Sequence, residues 1–155
     1  LPNRRLLLDR MTQALLLGKR ENRHLAVLFV DLNKFKLVND AYGHDAGDQM
    51  LIEVANRLQK IVRQSDTVAR LGGDEFVVLL AGLSTDQEQA AQHTAMTAEK
   101  IRSALGEEYL LKNVQLPGSA SVGIRLILGG DMDPEQILKE ADAAMYEIKK
   151  SAVQQ

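Results

Sequence analysis

Gly72 and Gly73 stand side by side between two apolar, strand-like stretches, Thr67 to Leu71 and Glu75 to Leu80. Two such stretches separated by so short a glycine segment double back as a tight hairpin, because its turn positions need the positive φ that glycine takes without steric cost. The chain is thereby committed to antiparallel pairing. A second stretch, Leu25-Ala26-Val27-Leu28-Phe29-Val30, is apolar on both faces and ends abruptly at Asp31. A run of that kind suits a central strand covered on both sides. Ser119 to Leu128 reads as a further strand.

Helical spacing fills the intervals. Arg4 to Lys19 places Leu7, Leu8, Met11, Leu15 and Leu16 near one face, with Asn3 as a cap. A short helix is expected from Lys34 to Ala41, stopped by Gly43. A longer one follows from Ala46 to Arg63, with Met50, Leu51, Val54, Ala55, Leu58, Ile61 and Val62 as its buried stripe. Ser84 and Gln87 have capping-box spacing and open a helix ending near Gly106. Asp133-Pro134 starts the last helix, with Ile137, Leu138, Ala141, Met145 and Ile148 facing inward. The order α-β-α-α-β-β-α-β-α predicts an α/β (α+β) domain: a mainly antiparallel sheet with helices on one or both faces.

At 155 residues the chain is one domain with enough interior to need no staples, and it has no cysteine to make them. The absence of cysteine also removes thiolate metal sites and cysteine nucleophiles. The net charge of −2 argues against broad binding to nucleic acid, which needs a basic face. It leaves room for small phosphorylated ligands if a metal offsets the charge. No apolar run approaches the roughly 20 residues that span a bilayer. The chain begins at Leu1, read here as the opening of a piece of a longer protein. The histidines, His24, His44 and His93, have no metal-ligand spacing.

Chemistry concentrates at the hairpin. Its two glycines carry no side chains, so a ligand can approach the backbone closely, and Asp74 and Glu75 follow at once. If the hairpin packs beside the apolar strand, Asp31 and Asp74 converge. Two converging carboxylates call for a cation, and Mg²⁺ with nucleotide phosphates is the usual hard-oxygen solution. The plainer alternative makes Asp74 and Glu75 turn and edge residues and Asp31 a strand-end cap.

The residues Arg70-Leu71-Gly72-Gly73-Asp74-Glu75-Phe76 resemble the signature of GGDEF domains, the diguanylate cyclases. The likeness extends along the chain. It takes in Leu1-Pro2-Asn3-Arg4-Arg5, then Asp31-Leu32-Asn33-Lys34-Phe35-Lys36 with Asn39-Asp40, Tyr42-Gly43-His44 and Gly47-Asp48. It ends in Ala141-Asp142 with Met145-Tyr146 and Lys149. The resemblance implies a fold of nucleotide-cyclase and polymerase-palm type, a cytoplasmic setting in bacterial signalling, and condensation of two GTP into cyclic di-GMP. It further implies Mg²⁺ or Mn²⁺ held by Asp31, Asp74 and the main-chain carbonyl of Leu32. Gly72 and Gly73 would let the nucleotide lie against the hairpin. Glu75 would be an additional carboxylate assisting deprotonation of the 3′-hydroxyl. Asn39 and Asp48 would read the guanine edge, backbone amides around Phe35 and Lys36 would hold terminal phosphates, and Lys149 would add a point charge there. Without the resemblance, Asn39 and Asp48 read as helix-terminal caps and Lys149 as a solvated helix end.

Arg63-Gln64-Ser65-Asp66 resembles the family's Arg-x-x-Asp inhibitory site, where product binds, with Arg70 nearby; an ordinary helix-end ion pair is the alternative. Two departures stand out. Asn33 replaces a common Asp, and Val153 stands where the family usually has an Arg four residues after Lys149. Val153 cannot make a bidentate phosphate contact, and Lys150 substitutes only as a point charge. Each domain would hold one GTP, so catalysis requires a symmetric homodimer, with the isolated chain mostly monomeric and a sensory or receiver domain preceding it in the parent. No nucleic acid or membrane contact by this domain is expected. The competing reading is a non-catalytic module that binds GTP or cyclic di-GMP. A purely structural role gives no reason for paired carboxylates beside two bare glycines.

Overall fold

The strand beginning at His24 is buried at every residue, as its two-sided apolarity demands. The computed structural model describes residues 1–153, with side chains through Ser151. In chain order the elements are α1 (Arg4–Glu21), β1 (His24–Leu32), α2 (Phe35–Tyr42), α3 (His44–Ile61), β2 (Thr67–Gly72) and β3 (Glu75–Leu80). They continue with α4 (Gln87–Gly106), β4 (Tyr109–Leu111), β5 (Val114–Leu116), β6 (Ala120–Leu128) and α5 (Pro134–Val153). Four strands form one sheet in the order β2-β3-β1-β6, every pairing antiparallel. Helices cover both faces, so the expected architecture is the observed one.

Strand parity divides the core. Ala26, Leu28, Val30 and Leu32 of β1 face α2, α3 and α4, where Val38, Met50, Val54, Leu58, Ala98 and Ile101 pack. Leu25, Val27 and Phe29 face α1 and α5, against Leu7, Met11, Leu15, Ile137, Ala141 and Met145. Each such buried aliphatic side chain contributes roughly 1.5–3 kcal/mol over leaving it in water. Asp31 is the next odd-numbered residue, so it continues the α1/α5 face.

α5 lies unusually close to the sheet. A Cβ at Gly123 would sit 2.1 Å from the Met145 backbone N and 2.5 Å from the Ala141 carbonyl O. Only glycine permits this approach, and it carries the end of α5 over the end of β1.

Four expectations are corrected. β1 does not end at Val30 but runs through Asp31 to Leu32, because Asp31 pairs with both Glu75 and Ser121. The cap of α4 is Asp86, which accepts from the Gln89 N–H, while Ser84 bonds Gln89 Oε1 and Asp86 N from outside the helix. Ile148 is 45% exposed and Leu16 59%, each having drifted off its buried stripe. A small hairpin, β4–β5, was not expected; its turn is Lys112-Asn113, both with positive φ, a type I′ pattern built without glycine. Arg57 locks this region to α4. Its guanidinium donates to the carbonyls of Ala104, Glu107 and Glu108 and stacks on Tyr109 at 3.9 Å.

Candidate active site

The β2–β3 hairpin turns one residue later than its two glycines suggest. Gly72 pairs with Glu75, and an irregularity between Arg70 and Gly72 leaves Leu71 as the extra residue. The two turn residues are therefore Gly73 and Asp74, with Gly73 at φ 47°. Arg70 braces the turn by donating Nε and Nη2 to the Gly73 carbonyl at 3.1 and 2.9 Å. A Cβ on Gly72 or Gly73 would meet nothing within 4 Å, so the turn's outer surface is bare and open.

The hairpin brings its acids to the end of β1. Glu75 pairs with Asp31 in register, and Leu32 N–H donates to the Asp74 carbonyl at 3.4 Å. Alternation along β1 then points the Leu32 carbonyl toward the hairpin as well, because Asn33 and Asp31 spend their backbone groups on β6. Asp31 is 8% exposed; its Oδ2 accepts from Lys149 Nζ at 2.7 Å, and its Oδ1 is buried without a hydrogen-bond partner.

The electrostatics follow from this crowding. Burial first, then the closeness and charge of the Asp31 carboxylate, push the Asp74 carboxyl above its usual range, against the pull of its own backbone amide and Lys149. Burial comes first for Glu75 too, followed by the charges of Asp142, Asp31 and Asp74, and again Lys149 opposes. Acids held this way sit uneasily without a cation. The unpartnered Asp31 Oδ1, the adjoining Asp74 carboxylate and the Leu32 carbonyl are the hard-oxygen donor set that Mg²⁺ or Mn²⁺ prefers. Two carboxylates is the extent of it. Among the described residues no group of three or more acidic or histidine side chains gathers with ligating geometry.

The remaining sequence candidates lie around this point. Phe35 and Lys36 open α2, whose N-cap residue Lys34 makes no side-chain cap bond, leaving the first amides free for an anion. Asn39 lies over the α3 backbone, with Oδ1 buried and unpartnered, 1.8 Å from where a Gly47 Cβ would be. Asp48 is exposed in the first turns of α3. Arg63 and Asp66 sit at the opposite end of the hairpin from its turn. There Arg63 donates to both Asp66 oxygens and to the Ala81 carbonyl, and the Asp66 side chain is 1% exposed. A cleft of about 320 Å³ adjoins them, lined by Arg10, Gln13, Ser65, Asp66 and Thr67. Arg70 belongs to the turn and does not join this pair. The side chain of Val153 lies outside the described residues.

The structure adds residues that the sequence reading passed over. Asp142 projects its charge toward Glu75 from α5. Ser119 and Ser121 bond the Asn33 side chain beside Asp31. Their alternate spacing at the start of the last strand was the available signal, since it turns both hydroxyls to the side that carries Asp31.

Comparison with known proteins gives the family and the fold. The chain matches the family described as diguanylate cyclase, GGDEF domain, over residues 1–155. It is 46% identical over 149 residues to the bifunctional diguanylate cyclase/cyclic di-GMP phosphodiesterase MucR of Pseudomonas aeruginosa, covering 96% of this chain and 21% of that protein. Diguanylate cyclase DgcP of Escherichia coli is 38% identical over 152 residues, covering 97% of this chain and 42% of that protein. The chain thus spans less than half the length of these relatives. The solved structure of a TpbB variant from Pseudomonas aeruginosa comprising only the GGDEF domain superposes with a TM-score of 0.90 at 38% identity, covering 97% of this chain and 86% of that one.

Proposed function

The chain belongs to the diguanylate cyclase GGDEF family, and from that membership we propose that it joins two GTP molecules into cyclic di-GMP. Each ribose 3′-hydroxyl attacks the α-phosphorus of the other nucleotide, a P–O bond forms, the α–β bridge breaks, and two pyrophosphates leave. The observation that carries this reading is Asp31, buried with one oxygen unpartnered beside the Asp74 turn.

Asp31, Asp74 and the Leu32 carbonyl would hold Mg²⁺ or Mn²⁺, which when bound offsets charge building on the α-phosphate. Glu75, with its raised pKa, is a better proton acceptor for the 3′-hydroxyl than an ordinary carboxylate. Lys149 donates to Asp31 at 2.7 Å, and its point charge would serve the triphosphate of a bound nucleotide. The free amides at Phe35 and Lys36 receive terminal phosphates. The buried acceptor of Asn39 and the carboxylate of Asp48 take the guanine N–H donors that adenine lacks. Two domains must face each other, so activity should depend on dimerisation, supplied in the parent protein by a further domain of sensory or receiver type. No described helix is long and apolar enough to cross a membrane. Arg63 and Asp66, with the cleft beside them, are the proposed product-inhibition site.

The test is incubation of an induced dimer with GTP and Mg²⁺, followed by nucleotide chromatography. Cyclic di-GMP should accumulate with a rate that climbs with protein concentration in the undimerised chain. No product above an Asp74→Ala control would leave the second reading, a module that binds GTP or cyclic di-GMP without turnover. Val153 in place of an arginine is the observation that favours it.

A further inference from the structure

Asn33 lies one residue past the end of β1 and is tied three ways to the start of β6 and to Ser119, the residue just before it. Its backbone N–H donates to the Ser119 carbonyl at 3.0 Å, its Nδ2 donates to Ser119 Oγ at 2.8 Å, and its Oδ1 accepts from Ser121 Oγ at 2.9 Å. Ser121 is 3% exposed and is the β6 partner of Asp31. Strand ends normally loosen within a residue or two, since the ladder stops and water competes for the last backbone groups. Here the end is secured on both sides, by Asn33 toward β6 and by the Leu32 N–H toward the Asp74 carbonyl. Leu32 is caught between the two anchors, and Asp31 is one residue before it.

We infer that Asn33 is a positioning residue for the divalent-cation site: through Ser119 and Ser121 it fixes the Leu32 carbonyl and the Asp31 carboxylate, without touching ion or nucleotide. This rests on the metal-dependent reading above. The amide suits the position chemically. It satisfies one hydroxyl as donor and the other as acceptor, and it does so without a further negative charge beside Asp31, Asp74 and Glu75. A carboxylate at the same position would accept from both serine hydroxyls once the Ser119 hydroxyl turns round. The ties survive that change and only the charge differs.

The experiment is a Mn²⁺ titration followed by electron paramagnetic resonance, in the presence of 3′-deoxy-GTP, which lacks the attacking hydroxyl and is not consumed. Wild type, Asp74→Asn, Asn33→Ala and Asn33→Asp are compared, each with a thermal melt recorded without metal. Partners one layer outside a metal's ligands typically carry 10–100-fold in affinity. Asn33→Ala should therefore weaken Mn²⁺ binding about tenfold or more at a temperature where the melt shows it folded. Asn33→Asp should restore affinity to wild type or better. If Asn33→Ala destabilises the domain but binds Mn²⁺ like wild type, Asn33 is a structural residue and the inference is overturned alone. If wild-type binding does not respond to Asp74→Asn, the metal site itself is misassigned and the inference falls with it. Should Asn33→Ala not fold, Ser121→Ala removes a single tie and must still weaken Mn²⁺ binding measurably, by less than about tenfold; an unchanged affinity there overturns the proposal.

Discussion

Lys149 Nζ lies 2.7 Å from Asp31 Oδ2, joining the last turns of α5 to the end of β1 across 118 residues of chain. The Asp31 side chain is 11% exposed and the Lys149 side chain 35%, so the pair is partly screened and its worth lies below that of a fully buried one. On the proposed function a divalent cation and the lysine compete for one carboxylate, while the lysine and the cation cooperate on the triphosphate. Lys149→Met should therefore bind Mn²⁺ alone at least as tightly as wild type. The same variant should bind Mn²⁺ with 3′-deoxy-GTP about tenfold more weakly, the loss of one charge-assisted contact. Equal weakening of both would show that the lysine only supports the fold.

The acids of the site weigh on stability. Asp74 has its pKa raised from 3.8 and Glu75 from 4.5, so between the unfolded and folded values the native state holds more protons than the unfolded one. Stability then falls as pH rises through that window and stays lower above it. Without divalent metal, Asp74→Asn should melt higher than wild type at pH 7, by roughly 2–4 °C for each kcal/mol relieved. The gain should shrink as the pH is lowered through the raised folded-state pKa, where the wild-type carboxyl takes up its proton. A variant that melts lower than wild type at pH 7 would contradict the crowding of Asp31 and Asp74.

Arg57 offers a contrast, because its role is confined to architecture. It caps the carbonyls ending α4 and covers Tyr109, whose hydroxyl pKa is pushed up to about 12 chiefly by burial. Arg57→Ala leaves those carbonyls to water and uncovers the ring, at a cost of about 2–3 kcal/mol in urea unfolding. Nucleotide and metal affinity of the folded variant should be unchanged, since Arg57 lies nine residues along α3 from Asp48 and its guanidinium bonds none of the proposed ligand-binding residues. A parallel loss of affinity would mean that α3 transmits strain from this contact to Asn39 and Asp48.

Much of this was legible because it depends on local periodicity. The two-sided run at Leu25 to Val30 could only be an interior strand, and the glycine pair could only be a reversal. What stayed hidden depends on how distant segments register. Asp31 reads as a strand end until both of its neighbours, Glu75 and Ser121, are seen to pair with it. The turn moves from Gly72-Gly73 to Gly73-Asp74 because Leu71 is an extra residue, which no pattern of apolar spacing reports. β4–β5 turns on Lys112-Asn113, two residues that seldom take positive φ together, so the usual glycine signal is missing. At the site, the residue types named Asp31, Asp74 and Glu75. The partnership of Lys149 with Asp31 required the path of α5 over the sheet.

That path depends on Gly123, and it yields the sharpest prediction. Gly123 pairs with Phe29, and its missing Cβ is what lets the backbone at Ala141 and Met145 rest on the strand. Ala141, Met145 and Lys149 recur every four residues on one helix face, so a turn beyond Met145 brings Lys149 above Asp31, two residues along β1 from Phe29. Gly123→Ala places a methyl 2.1 Å from a backbone nitrogen, which cannot rotate away as a side chain could, so α5 must lift. Overpacking of this kind costs about 1–3 kcal/mol, and the rigidity of both partners puts it at the upper end, a loss on the order of 10 °C in melting temperature. The lift also withdraws Lys149. Affinity for Mn²⁺ with 3′-deoxy-GTP should then fall in Gly123→Ala as far as it does in Lys149→Met, with little further loss in the double variant, whereas the two stability losses should stay closer to additive. If the double variant instead loses affinity by the product of the two single effects, Gly123 does not act on the nucleotide through Lys149.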